Sequence, residues 1–270
     1  MANGFSFHVV VGGGHDALRG TARRVPIVLL HGFVQSWWAW RHQLSALDLA
    51  GHPVAAVDLR GYGASDRPPR GYDHATLARD VAGIARGLGH RRAVIVGHDL
   101  GGAVGWATAA FVPDVVAGLV SVSTPGPGST RRSSWPDRWR PARSWSAHSG
   151  RRVERYLRSR TSQPDALDLD SLTAYRLALL EWPAPQRALA AVRHSDRAVR
   201  QALLRRPIDV DLLTIRGSLD RVVSRSAMDR TDRFVAGHHV HVELPGIGHL
   251  VPEEDPDAVT TALLDWLAPR

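Results

Sequence analysis

The sequence predicts an α/β protein built on a mostly parallel sheet. Short apolar runs alternate with amphipathic stretches of helical period, which is the pattern of parallel strands joined by helices. Several of these runs end in glycine-rich turns, as at Gly61-Tyr62-Gly63. The alternation stops at Thr124-Pro125-Gly126-Pro127-Gly128 and returns near residue 208. We therefore expect a core of two sequence halves that is interrupted by an insertion.

The apolar runs and the helical periods place the individual elements. Strands are predicted at Phe5–Val11, Pro26–Leu30, Pro53–Leu59, Ala93–Gly97, Ala117–Ser123, Val210–Arg216 and His238–Leu244. Helices are predicted at Thr76–Leu88 and Gly102–Phe111, with a last one from about Glu253 to Leu267. The part between the halves is helical in pattern and rich in arginine. We assign residues 1–127 and 208–270 to the core and 128–207 to a helical cap.

Composition excludes several classes of function. The chain has no cysteine, which excludes disulfide bonds, thiolate metal ligands and a cysteine nucleophile. Its first residues lack the basic and apolar regions of a signal peptide, and no stretch approaches about 18 uninterrupted apolar residues. We therefore expect a soluble cytoplasmic protein without a membrane partner.

The formal net charge of +8 is confined to one segment. Every basic residue is Arg, and residues 131–160 hold ten of them against two acidic residues, while the rest of the chain is neutral. A nucleic-acid interface would need a reading motif or aromatic stacking platforms beside this charge. Three tryptophans lie in the segment and keep that alternative open. We favour a solvated surface of the insertion and expect no nucleic-acid partner.

One turn carries most of the chemical information. The apolar run Ala93–Val96 leads into Gly97-His98-Asp99-Leu100-Gly101-Gly102, which has the form of a nucleophile elbow. The elbow is a strained strand-to-helix turn that needs small flanking residues, and three glycines meet that need. Its reactive position holds Asp99, and a carboxylate suits displacement at a saturated electrophilic carbon rather than acyl transfer. The alternative is that Asp99 only caps the following helix.

Three motifs together resemble a known family. His31-Gly32-Phe33 with Trp40-Arg41 downstream, the stretch Asp58-Leu59-Arg60-Gly61-Tyr62-Gly63-Ala64-Ser65, and the elbow occur in an order and spacing similar to those of α/β-hydrolases. The resemblance is to the branch of epoxide hydrolases and haloalkane dehalogenases and covers about 1–125 and 208–270. It implies an enzyme with a mostly parallel sheet of eight strands, flanked by helices, and a helical cap.

The resemblance also implies the other catalytic residues. The chain order nucleophile, acid, histidine points to Asp220, which follows the strand after the insertion, and to His249 in a Gly-His pair. Some dehalogenases carry the acid before the cap, but Ser123-Thr124-Pro125-Gly126 holds no carboxylate. The alternative for Asp220 is a turn residue. The backbone N–H groups of Phe33 and Leu100 resemble the family's oxyanion hole.

The remaining expectations concern ligands. We expect His31, His98 and Trp182 to line the substrate pocket, and we expect no metal and no organic cofactor. The glycines at 12–14 lack the lysine of a phosphate-binding loop. The sequence does not determine the oligomeric state, and a homodimer is one alternative.

The reactions of this branch differ in the leaving group and therefore in the residues that stabilise it. Dehalogenases of this branch place Trp or Arg after the nucleophile, whereas this chain has Leu100. Epoxide hydrolases protonate the leaving oxygen with cap tyrosines, for which the candidates are Tyr156 and Tyr175. We therefore expect an Asp-nucleophile hydrolase that opens a small, apolar or weakly polar epoxide to a vicinal diol through a covalent alkyl-enzyme ester. The alternatives are a haloalkane or haloacid dehalogenase and a non-hydrolytic scaffold, either ligand-binding or cyclase-like.

Overall fold

A seven-stranded sheet forms the centre of the molecule. The fold is taken from a computed structural model, which describes residues 1–13, 24–129, 150–179 and 197–268. The strands are β1 (Val9–Val11), β2 (Ile27–Leu30), β3 (Val54–Val57), β4 (Ala93–His98), β5 (Val116–Val122), β6 (Leu212–Gly217) and β7 (His239–Leu244). Each of them overlaps a strand predicted from the apolar runs.

The strands are arranged in the order β1-β3-β2-β4-β5-β6-β7. β1 pairs with β3 in antiparallel orientation, and all other neighbouring strands are parallel. The mostly parallel sheet is therefore confirmed. The expected count of eight is not reached within the described residues, where seven strands are found. The carboxyl ends of β2, β4, β6 and β7 lie at one edge, so the loops that follow them meet there.

Helices connect the strands and cover the sheet. The described residues form α1 (Arg41–Leu49), α2 (His74–Gly87), α3 (Leu100–Phe111), α4 (Gly150–Arg158), α5 (Leu169–Leu179), α6 (197–205), α7 (Arg225–Asp229), α8 (Val251–Glu254) and α9 (Pro256–Leu267). The part of 128–207 that is described contains α4, α5 and α6, in agreement with its helical pattern. Among the described residues, none of the helices has the length and apolar composition that a membrane span requires.

Three helices differ from the prediction in where they begin or end, and two of these differences are caused by a local cap. α3 begins at Leu100 rather than at Gly102. α2 begins earlier than expected since the Asp73 side chain accepts the backbone N–H of Thr76. The single last helix is wrong: α8 ends at Glu254, and α9 starts at Pro256. The residue before a proline is disfavoured in the helical conformation, and Asp255 instead caps α9 by accepting the N–H of Ala258.

The core lies between the sheet and its helices. All residues of β2, β3 and β4 are buried, which explains why these strands read as continuous apolar runs rather than alternating ones. The largest fully buried side chains include Trp40 and Trp106. This rigid centre fixes the ends of the strands and thereby the loops that carry the site.

Candidate active site

The turn between β4 and α3 places Asp99 at the carboxyl edge of the sheet. Asp99 has a φ of +48°, in the left-handed region that non-glycine residues rarely adopt. It occupies the N-cap position of α3, yet its side chain makes no capping hydrogen bond. The capping alternative for Asp99 is therefore wrong, and the carboxylate is directed elsewhere.

The three glycines of the turn are required by close packing, as predicted. A Cβ on Gly97 would lie 2.3 Å from the backbone of Gly101, and a Cβ on Gly101 would lie 2.1 Å from the carbonyl oxygen of Leu30. A Cβ on Gly102 would lie 2.4 Å from the hydroxyl of Thr124. No side chain fits at these distances, so the turn can form only with glycine at these positions.

Three predicted residues converge at this edge. The Nε2 atom of His249 lies 3.8 Å from Oδ1 of Asp99, and its Nδ1 atom lies 3.0 Å from Oδ2 of Asp220. All three side chains are at least nine-tenths buried. Asp220 also forms a turn, since its Oδ1 accepts the N–H groups of Val222 and Val223. Its two oxygens thus combine the turn role and the contact with histidine.

Burial and charge act in opposite directions on these pKa values. Burial would lower the pKa of His249, but the charge and hydrogen bond of Asp220, together with Asp99, raise it to about 9. Burial would raise the pKa of Asp99, but the interactions with His249, His98 and the Phe33 N–H lower it to about 2. At pH 7 the site therefore holds an imidazolium between two carboxylates.

One backbone N–H group contacts the Asp99 carboxylate. The N–H of Phe33, in the loop after β2, donates to Oδ2 of Asp99 at 3.0 Å. Leu100 is the first residue of α3, where N–H groups have no acceptor within the helix. The contact of the Phe33 N–H with Asp99 is therefore observed, and the role of Leu100 as a second donor stays a prediction.

The predicted pocket residues have structural contacts. The Nδ1 atom of His31 lies 2.8 Å from the Gly32 carbonyl oxygen, and its Nε2 accepts the N–H of Leu59. The Nε2 of His98 donates to the carbonyl oxygen of His249 at 2.8 Å. Burial is the main cause that lowers the pKa of His98, to about 4. Trp182 lies outside the described residues, and the pocket lining stays a prediction.

A comparison with protein families decides the classification. The family model described as the alpha/beta hydrolase fold matches residues 25–256, which is most of the chain. The chain belongs to the α/β-hydrolase family.

Individual relatives narrow the branch. The AB hydrolase superfamily protein YfhM of Bacillus subtilis is 28% identical over 285 residues, covering 98% of this chain and 95% of YfhM. Epoxide hydrolase A of Mycobacterium tuberculosis is 30% identical over 294 residues, covering 89% of each chain. The crystal structure of Epoxide Hydrolase A from Mycobacterium thermoresistibile aligns with a TM-score of 0.80 at 26% identity, covering 99% of this chain and 96% of that one. This α/β-hydrolase is thus an enzyme of the epoxide hydrolase branch.

The two candidate tyrosines of the α/β-hydrolase occupy different surroundings. The ring of Tyr156, in α4, packs edge-on against Phe33 with 5.8 Å between centroids. Tyr175, in α5, is fully buried, and its hydroxyl donates to Oε1 of Glu253. Tyr156 therefore adjoins the residue whose N–H contacts Asp99, whereas the hydroxyl of Tyr175 has a carboxylate partner on α8.

Sequence reasoning missed one residue that supports the turn. The hydroxyl of Thr124 lies 3.0 Å from the carbonyl oxygen of Asp99, and its backbone carbonyl accepts the hydroxyl of Ser121. The prediction for residues 123–126 concerned only a catalytic carboxylate. Thr124 follows β5, the neighbour of the strand that precedes the elbow, and this position is the signal from which its role could have been predicted.

The charge arrangement predicts how His249 titrates. Replacing Asp99→Asn removes one of the two neighbouring carboxylates, so the pKa of His249 should fall below its value of about 9. A titration of the imidazole nitrogens by NMR measures this shift. Because the folded-state pKa is raised above 6.5, the ion pairs stabilise the fold fully below pH 6.5 and stop doing so as the pH rises through about 9.

The control for this titration is the surface variant Asp114→Asn, since Asp114 is exposed and lies beyond the carboxyl end of α3, whereas Asp99 lies at its amino end. It should leave the pKa of His249 unchanged. An unaltered titration in the Asp99→Asn variant would show that the two side chains do not interact as the geometry indicates.

Proposed function

We propose that this enzyme hydrolyses small, apolar or weakly polar epoxides to vicinal diols, with Asp99 as the nucleophile. The observation that carries the proposal is a carboxylate in place of a hydroxyl at the elbow, held between the N–H of Phe33 and the imidazole of His249. A carboxylate displaces a leaving group from saturated carbon and forms an ester. The similarity to Epoxide hydrolase A of Mycobacterium tuberculosis supports an epoxide as the substrate.

In the first step Asp99 attacks one ring carbon of the epoxide. A bond forms between a carboxylate oxygen and that carbon, and the carbon–oxygen bond of the ring breaks. The oxygen that leaves takes a proton from a phenol, for which Tyr156 is the better placed candidate because its ring packs on Phe33. The guanidinium of Arg160 lies 4.7 Å above the Tyr156 ring and favours the negative charge that forms there.

Ester formation prepares the base for the second step. The resting imidazolium owes part of its raised pKa to Asp99, and the ester carries no charge. The pKa of His249 therefore falls once the ester has formed, and its proton returns to the Tyr156 oxygen. Neutral His249, held by Asp220 through Nδ1, can then accept a proton from water at Nε2.

Water attack completes the cycle. The hydroxide formed at His249 adds to the Asp99 carbonyl carbon, and the N–H groups of Phe33 and Leu100 stabilise the oxyanion. Collapse of this intermediate breaks the ester bond, and the intermediate's own hydroxyl proton passes to the departing diol oxygen. The Asp99 carboxylate and the His249 imidazolium are restored, so epoxide and water have become diol with no proton left over.

We further propose that residues 128–207 form a cap over the site. Two contacts of the described residues support this division. Tyr156 of α4 packs on Phe33, and the carbonyl oxygen of Arg160 accepts the backbone N–H of His249. The cap would thereby bring a proton donor to the substrate and exclude bulk water from the ester.

Trapping the ester tests the proposal. The variant His249→Gln removes the base but leaves Asp99 intact, so it should form the ester with an epoxide and hydrolyse it at least about 100-fold more slowly than the wild type. Intact-protein mass spectrometry should find the whole mass of the epoxide added to the peptide that contains Asp99. The matched control is His42→Gln, at an exposed histidine of α1, which should turn over normally.

The mass of the adduct separates the alternatives. A haloalkane substrate would add its mass less that of the hydrogen halide, which would identify a dehalogenase. Absence of any adduct in His249→Gln across both classes of substrate would count against covalent catalysis and in favour of a non-hydrolytic scaffold.

The two tyrosines are expected to differ in the ring-opening step. Tyr156→Phe removes the proposed proton donor and should slow ester formation about 100-fold or more in single-turnover measurements. Tyr175→Phe removes a hydroxyl that is directed to Glu253, so it should leave that rate within a few-fold. The reverse pattern would assign the proton donor to Tyr175.

A further inference from the structure

Glu254 lies directly behind the loop that carries His249. Its carboxylate is buried and accepts three backbone N–H groups, those of Gly248 and Leu250 on either side of His249, and that of Ser162 after α4. The hydroxyl of Ser162 lies 2.7 Å from the same carboxylate. The two residues that flank His249 are thus bonded to one side chain.

We propose that Glu254 is a positioning residue for His249: its carboxylate fixes the backbone on both sides of the base and joins that loop to the 160–162 segment. This inference rests on the proposed function, in which His249 is the base of the second step. The nucleophile of the first step, Asp99, is held by the elbow and by the N–H of Phe33 rather than by Glu254, so ester formation should respond to Glu254 far less than ester hydrolysis does.

The pattern of donors requires a carboxylate at this position. Oε2 of Glu254 accepts the N–H groups of Gly248 and Ser162, and Oε1 accepts that of Leu250. A glutamine has one oxygen and one NH₂ group, so either orientation of its amide would direct N–H at N–H. Replacing Glu254 by Gln therefore breaks the arrangement on one side of His249, although size and shape are kept.

The glycine before His249 is explained by the same carboxylate. A Cβ on Gly248 would lie 2.8 and 2.9 Å from the two oxygens of Glu254 and 2.6 Å from the backbone nitrogen of Ser162. Position 248 therefore has to be glycine for the carboxylate to reach both flanking N–H groups.

The peptide groups of His249 itself are held from other elements. Its N–H donates to the carbonyl oxygen of Arg160, and its carbonyl oxygen accepts the Nε2–H of His98. With the two bonds from Glu254, four successive contacts along 248–250 set where the imidazole lies relative to Asp99 and Asp220. Displacing a reacting group by about 1 Å can cost about 100-fold in rate.

The test separates the two steps in single turnovers with styrene oxide, a neutral and apolar epoxide. Glu254→Gln should form the ester within about 3-fold of the wild-type rate but hydrolyse it about 100-fold more slowly, so that the adduct accumulates. Glu254→Asp keeps the charge with a shorter reach and should give an intermediate rate of hydrolysis. Asp257→Asn, an exposed carboxyl nearby in sequence, is the matched control and should behave as the wild type.

An NMR measurement gives a readout that does not depend on turnover. The Nδ1 proton that His249 shares with Asp220 should resonate far downfield in the wild type and in Asp257→Asn. In Glu254→Gln this resonance should shift or broaden, because the imidazole loses its fixed position.

The outcomes distinguish this inference from the proposed function. If the wild type forms neither adduct nor diol, the proposed function fails, and the NMR resonance alone decides whether Glu254 positions His249. If the wild type turns over and Glu254→Gln shows wild-type rates in both steps, the inference is wrong. Equal slowing of both steps, or failure of both Glu254 variants to fold, would assign Glu254 a structural role only and overturn the proposal.

Discussion

The close approach of two backbone segments beneath Asp99 is the constraint on which the site depends. A Cβ on Gly97 would lie 2.3 Å from the backbone of Gly101, and a Cβ on Gly101 would lie 2.1 Å from the carbonyl oxygen of Leu30 in β2. The start of α3 can therefore pack this closely on β4 and β2 only with glycine at both positions. This packing holds Asp99 at positive φ, a backbone conformation that costs on the order of 1–3 kcal/mol outside glycine. The packing of the buried sheet offsets this cost. The backbone conformation of Asp99 directs its carboxylate toward His249 and the N–H of Phe33.

The second constraint is that charged side chains are buried beside this turn. One imidazole lies between the carboxylates of Asp99 and Asp220, all of them buried. Such a site favours the imidazolium as long as both neighbours are charged, and much less once one of them becomes an ester. In the proposed mechanism, a single ionisable ring therefore serves successive steps without a change in its position.

The proposed cap segment contacts this centre, in its described part, through α8. The two neighbouring glutamates of that helix face different parts of the segment, since Glu253 accepts the hydroxyl of Tyr175 and Glu254 accepts the N–H of Ser162. Glu253 also pairs with Arg41, which follows the short helical turn Trp37–Trp40. A movement of the segment would therefore displace the loop that carries His249, because Glu254 is hydrogen-bonded to both.

Local signals account for what the sequence could predict. The strands are apolar because both faces of the sheet are covered, and the elbow is visible because only glycines fit there. Asp220 and His249 were implied by the chain order of the family that the sequence resembles, and their convergence is physically reasonable because parallel strands place their successive loops at one edge. The resemblance implied an eighth strand, whereas the described residues form seven. The unbroken last helix was predicted from helical period alone, and Pro256 divides it into α8 and α9.

Long-range contacts account for what the sequence could not predict. Glu254 reads as an ordinary acidic residue near a helix start, and only the folded loop shows three N–H groups converging on it. The partner of Tyr175 is 78 residues away, and no spacing in the sequence links the two side chains. Roles of this kind depend on which loops meet, which the pattern of apolar residues does not encode.

The most direct test of the account follows the oxygen of Asp99 through one turnover. Excess enzyme in H₂¹⁸O with an epoxide should release a diol whose new hydroxyl oxygen is ¹⁶O, since that oxygen comes from the carboxylate. The label should appear in Asp99 and reach the diol only in later turnovers. Full ¹⁸O incorporation into the diol during the first turnover would instead show direct attack by water and contradict the assignment of Asp99 as the nucleophile.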